Sequence, residues 1–265
     1  MDTTALMTVA SFLALVPATI YVLRPREARV LGFWAVTCVA LAGPLGWSLV
    51  QFSGEWHAGF SSNLWLIITS CMILFALLSA STSHGWRLAP LLLPYLLLLG
   101  GLAVVWGQAP EHLMIGVAPD LLRFHIFFSL GAYSLLTLAA VSGLAVFLHE
   151  RALKRKTRPT FNSLLPSVMD GEVLELRMLG AAESVLGLGI LTGMATLYFE
   201  TGRAMIFDHK TLFSLLTFGI VAGLLVMRTH TGVRGRQSAR YVLLAYLLLT
   251  LGFPGVKFVT DVLIG

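Results

Sequence analysis

Residues 88–106 read LAPLLLPYLLLLGGLAVVW, a run with no charged side chain. A helix on the surface of a soluble domain keeps a polar stripe, whereas this one would be apolar all round. It is also as long as a helix must be to cross a hydrocarbon core about 30 Å thick. Working outward, comparable runs recur at 4–22, 30–49, 63–81, 124–148, 180–199, 211–229 and 241–263. The whole chain is 57% hydrophobic and 12% charged, and soluble domains carry about a quarter charged residues. Its solvent is therefore lipid. In lipid the backbone must bond within its own helix or a closed barrel, and continuous apolar runs of this length are too long for barrel strands. The expected fold is all-α, a polytopic transmembrane bundle of about eight spans, with residues 1–265 forming a single membrane domain.

Charge gives the spans an orientation. The first run opens Met1-Asp2 and its arginines follow it (Arg24, Arg26, Arg29), so it reads as a retained span and not as a cleavable signal. Arg87, six Lys and Arg between Arg151 and Arg177, and four between Arg228 and Arg240 alternate onto the same side as those three. The positive-inside rule makes that side cytoplasmic and puts both termini outside. Only Arg123, Arg203, Lys210 and Lys257 remain on the outer side. The pI near 9.5 thus reflects topology, and no aromatic–basic pattern points to nucleic acid.

Between the spans, His149 to about Leu179 is the longest connection. It opens with Arg151, Lys154, Arg155, Lys156 and Arg158, and after Pro166 the mixed stretch Val168–Leu179 suits a short surface helix. A basic anchor for anionic headgroups and a partner-binding surface both fit this segment. Gly187, Gly189 and Gly193 permit close helix approach. Pro44, Pro94 and Pro254 fall inside spans, where each removes an N–H donor. Cys38 and Cys71 are too isolated for a redox pair or thiolate metal site and read as buried thiols. Glu183, just inside the sixth span, is expected to snorkel or pair with an arginine. No HExxH, GxSxG or phosphate loop is present.

Of seven histidines, His57, His112, His125 and His209 fall outside, and His84, His149 and His230 inside. Two outer helix starts combine an imidazole with aromatics and a cation: Arg123-Phe124-His125-Ile126-Phe127-Phe128 and Phe207-Asp208-His209-Lys210. A haem pocket needs that combination, with nitrogen for iron, rings against the macrocycle and cations for the propionates. The four outer cations lie near the outer ends of the fifth to eighth spans and would rim one site. A second account fits the same residues: Asp208 caps the seventh helix, the histidines lie at the interface, and the cations touch lipid phosphate. Lys257 and Asp261, four apart, are placed either to pair with each other or to reach a ligand.

Several segments taken together resemble the cytochrome c assembly, or CcsA/HemX-like, haem-handling membrane proteins over 125–259. His125-Ile126-Phe127-Phe128-Ser129-Leu130-Gly131-Ala132-Tyr133 resembles the segment where that family starts a helix with an external histidine. Leu165-Pro166-Ser167 is similar to the lead-in to the next helix, and Leu191-Thr192-Gly193 to its glycine-containing exit. The stretch 207–218, FDHKTLFSLLTF, lies over the family's WDPKETWSLLTW, with phenylalanine in place of tryptophan. Gly232-Val233-Arg234-Gly235-Arg236 is similar to the G-W-R-G-R/K turn, and Gly255-Val256-Lys257-Phe258 to the closing segment. The family histidine six residues before that turn falls on Val226, with His230 four residues later, and the one beyond the last span has no counterpart before Gly265. The HemX/YpjD-like branch is the nearer likeness.

The resemblance implies an inner-membrane protein that holds haem b at the outer, periplasmic face for cytochrome c or tetrapyrrole biogenesis. The external ligand role carries over to His125 alone; His209, standing where the motif has proline, is the substitute ligand read from this sequence. Arg123, Arg203, Lys210 and Lys257 are expected near the propionates, with Phe207 and Asp208 beside them. Apocytochrome c or other assembly proteins are the expected partners, and full haem-lyase activity is not expected. The alternative is a haem-free scaffold or regulator that works through the basic cytoplasmic loop on a tetrapyrrole-synthesis or assembly partner.

Overall fold

Each apolar run forms a helix. The computed structural model describes residues 3–24, 30–53, 57–108, 112–113, 119–157 and 160–264, so Arg26, Arg29 and Arg158 lie outside the described residues. In chain order the helices are α1 (Thr3–Val22), α2 (Leu31–Ser53), α3 (Phe60–Ser81), α4 (Ala89–Val105), α5 (Pro119–Lys154), α6 (Val168–Thr201), α7 (His209–His230) and α8 (Gly235–Thr250). All eight runs are long and apolar enough to cross a membrane, and the chain is a multi-pass membrane protein. Two-residue strands, β1 (His57–Ala58) and β2 (His112–Leu113), pair antiparallel and tie together the connections before α3 and after α4.

Helix boundaries follow from local chemistry. Ser167 caps α6, its hydroxyl accepting from the Asp170 N–H at 3.2 Å, and Gly202 at φ 72° ends it. Nothing between them breaks the helix. The stretch Val168–Leu179, expected as a separate surface helix, is therefore the first three turns of α6. One of its acids is not on a solvent face: Glu175 is fully buried. With 36 and 34 residues, α5 and α6 run for about 50 Å and overreach a bilayer core of about 30 Å. At Pro254 the missing N–H shifts the ladder, and Leu251–Gly255 is π-helical, with the Val256 N–H bonded to the Leu251 carbonyl. The last helix then continues to Ile264.

α1 packs on α2 and α4, α3 joins that half to α5, and α5 packs along α6 and α8. α3 and α5 are the enclosed posts, while α6 and α7 turn most of their surface outward. Cys71 is buried in the core as expected, but Cys38 is exposed on the outer surface of α2. A one-residue step around a lipid-facing helix decides that difference, and an all-apolar run does not encode it.

One polar contact fastens three helices at the end of the bundle opposite the chain termini. Arg228 of α7 donates to Glu175 Oε1 of α6 at 2.8 Å, and the Ser238 hydroxyl of α8 donates to the same oxygen. Glu175 and Arg228 side chains are 0% and 6% exposed. Beside them the 232–236 turn enters α8 with Gly232 at φ 68° and Gly235 at φ 60°. A side chain at Gly235 would also collide with Glu150 of α5. The N–H groups that open α8 are capped from other helices: Gly235 donates to Glu172 Oε1 at 2.7 Å and Arg236 to Glu150 Oε2 at 3.2 Å.

Removing one member of a buried pair leaves an uncompensated charge, whereas removing both does not. Arg228→Met is expected to cost about 3–5 kcal/mol, read as a fall in the thermal midpoint in detergent. Glu175→Met combined with Arg228→Met should recover most of that loss. Equal midpoints for wild type and Arg228→Met would show that the pair does not hold the helices.

Candidate functional site

At the bundle end that carries the termini, His125 stands two turns into α5 and lies half-buried against α6. Its Nδ1 is 3.0 Å from the Gly189 carbonyl oxygen. A carbonyl only accepts, so Nδ1 carries a proton, and in the neutral ring Nε2 keeps its lone pair. Such an imidazole is oriented by the backbone and has a ligating nitrogen to offer. Gly193, one turn beyond Gly189, makes room for the ring: a Cβ there would sit 2.8 Å from His125 Cε1. The glycine pair, read from sequence as packing spacing, forms the seat of the histidine.

The second imidazole segment is arranged differently. Asp208 is the N-cap of α7, accepting from the Thr211 N–H at 2.8 Å. Burial pushes its carboxyl up, but the Thr211 hydrogen bonds and the Lys210 charge outweigh that and hold it below the usual carboxylate range. His209 follows as the first residue of α7, and Arg203, Phe207, His209 and Lys210 are all exposed. Arg123 is exposed and pairs with Asp120 at 3.0 Å. Lys257 pairs with Asp261 at 3.8 Å, next to Phe258, whose ring is 5.3 Å from both Phe60 and Trp106. Among the described residues no hydrogen bond, ion pair or ring contact joins His125 to His209, and no cluster of three or more His, Cys, Asp or Glu forms a metal cage.

Deeper in the bundle is a polar group that sequence reasoning missed. Tyr133 of α5 has its hydroxyl 3.3 Å from that of Tyr95 (α4), 3.2 Å from that of Tyr246 (α8) and 3.2 Å from Thr250 Oγ1, and Tyr246 also bonds Tyr95. Each tyrosine counts as apolar in a span, and nothing in the spacing of three separate helices announces that their hydroxyls meet. Glu183 also departs from expectation. Both its oxygens are buried without a partner among the described residues, so it neither snorkels nor pairs.

A model of the family described as cytochrome C assembly protein matches residues 28–264. The chain belongs to that family. It is 49% identical over 261 residues, 96% of either chain, to an "Uncharacterized 28.8 kDa protein in nifR3-like 5'region" of Azospirillum brasilense. It is 26% identical over 184 residues to the inner membrane protein YpjD of Escherichia coli K12, covering 69% of this chain and 68% of that one. Protein HemX of Brevibacillus brevis shares 28% over 140 residues, about half of each chain. In this family member, two stretches far apart in sequence, 125–133 and 191–193, meet where His125 rests on Gly193.

The cap gives a test with a pH dependence. Asp208→Ala should lower stability by about 1 kcal/mol at neutral pH, read from the thermal midpoint. Because the folded carboxyl is depressed, its contribution is full above the usual value of 3.8 and fades as pH falls through its lower folded value. Wild type and variant should therefore converge in acid.

Proposed function

We propose that this protein is a haem-handling membrane protein of the cytochrome c assembly type, holding haem b at the outer, periplasmic face of the inner membrane. The observation that carries the reading is His125, a backbone-fixed imidazole with no hydrogen bond at Nε2 among the described residues, at the bundle end to which the positive-inside rule assigns the outer face. When bound, haem supplies an iron centre that takes axial nitrogen ligands and a macrocycle that covers apolar side chains. His125 would be one ligand. His209 would be the second, from the start of α7, with exposed Phe207 against the ring. Arg203 and Lys210 beside it, with Arg123 and Lys257, are the cations for propionates, and Asp208 sets the angle at which α7 begins. Family membership supports the same reading, and apocytochrome c or another assembly protein is the proposed recipient of the haem.

Anaerobic haem titration of detergent-purified protein is the direct test. A Soret band is expected that His125→Ala abolishes and His209→Ala shifts. Gly193→Ala, which crowds the ring without removing it, should weaken haem binding by roughly tenfold while the fold survives. A protein that shows no Soret band after loading, or an unchanged spectrum in His125→Ala, would sink the haem assignment and leave the scaffold reading in its place.

A further inference from the structure

Past its membrane span, at the end remote from His125, α5 helps to build a second site. Phe147, Arg151 and Lys154 of α5, Arg155 just after it and Arg236 of α8 line a cavity of about 290 Å³. The Arg236 guanidinium carbon lies 5.0 Å from the centroid of the Phe147 ring, which fixes that side chain as a wall of the cavity. Its Nε is buried and has no hydrogen-bond partner among the described residues. None of the four cations makes an ion pair or side-chain hydrogen bond among the described residues. The neighbouring acids do not answer them, because Glu150 and Glu172 are turned to the N–H groups of Arg236 and Gly235.

Four like charges gathered around one cavity repel one another, and a buried donor without an acceptor costs free energy. An anion relieves both. Three arginine forks and an ammonium match the several acceptor oxygens of a phosphate better than a single carboxylate. The depth narrows the source. The apolar run of α5 ends at Leu148, so the next two turns stand at headgroup level. Leu153 and Met169, 71% and 78% exposed at the same end, offer apolar surface to lipid. We propose that this cavity binds the phosphate of an anionic phospholipid headgroup, chemistry it shares with soluble phosphate compounds.

The test uses the full chain in nanodiscs of phosphatidylcholine with added phosphatidylglycerol or cardiolipin, with retained lipid read by native mass spectrometry. Arg151→Gln combined with Arg155→Gln should weaken retention of the anionic lipid by roughly 10- to 30-fold, since each cation near a headgroup contributes about fivefold. Lys154→Gln should give a smaller loss. Arg177→Gln, an exposed cation on α6 outside the cavity, should give none. An equal loss in Arg177→Gln would mean diffuse attraction and overturn the site. Thermal midpoints in phosphatidylcholine alone check that the variants fold. In a second arm, inorganic pyrophosphate is titrated against lipid-free protein in detergent. If it raises the wild-type midpoint but not that of the double variant, while lipid retention is the same in both, the ligand is soluble and the lipid assignment fails. A soluble protein that co-purifies with wild type and is lost in the double variant, again without a lipid difference, overturns it too. Neither arm contains haem.

Discussion

The Glu175 carboxylate, sunk among helices in a lipid-facing bundle, is tolerable only because Arg228 and Ser238 converge on it. Moving such a charge out of water costs several kcal/mol, and only close, well-aligned donors return it. The donors come from α7 and α8 and the acid from α6, and Glu150 and Glu172 then hold the start of α8 against α5 and α6. Between them these contacts fix the angle at which α7 hands over to α8. The 232–236 turn, which in sequence is a short glycine–arginine motif, takes its meaning from this: two left-handed glycines bring unpaired N–H groups to waiting carboxylates.

Once α5, α6 and α8 are fastened at one end, their far ends are placed by rigid helix geometry. His125 is seven turns along α5 from Glu150, and it arrives opposite Gly189 and Gly193 because α5 and α6 lie antiparallel in close contact. The three-tyrosine group with Thr250 sits between the two ends and joins α4 of the first half to α5 and α8 of the second. In a bundle whose outer surface meets lipid, apolar contact gives little preference for one partner over another. Directional polar contacts at three depths supply that preference.

The same architecture separates two chemistries. The end with the termini presents an oriented imidazole beside glycine and aromatic surface. The other end presents concentrated positive charge around a cavity. α5 contributes to both because it is long enough to overreach the bilayer, and its sequence changes from aromatic to cationic along its length.

By itself the sequence determined the number of spans, their limits to within a few residues apart from both ends of α5 and the starts of α6 and α8, and the alternation of Lys and Arg across them. All three rest on local hydrophobic length and local charge, which a helix in lipid must obey residue by residue. It also carried the histidine, the glycines and the turn as separate motifs, and it named Asp208 as a helix cap among the alternatives. Tertiary structure alone decided which of them meet. Glu175 and Arg228 are 53 residues apart, His125 and Gly189 are 64 apart, and Tyr133 and Tyr246 are 113 apart. It also decided that Val168–Leu179 is continuous with α6 and buries Glu175, that Glu183 has no partner among the described residues, and that Cys38 faces outward. Each depends on the rotation of one helix against another, and runs that are apolar on every face leave that rotation unspecified.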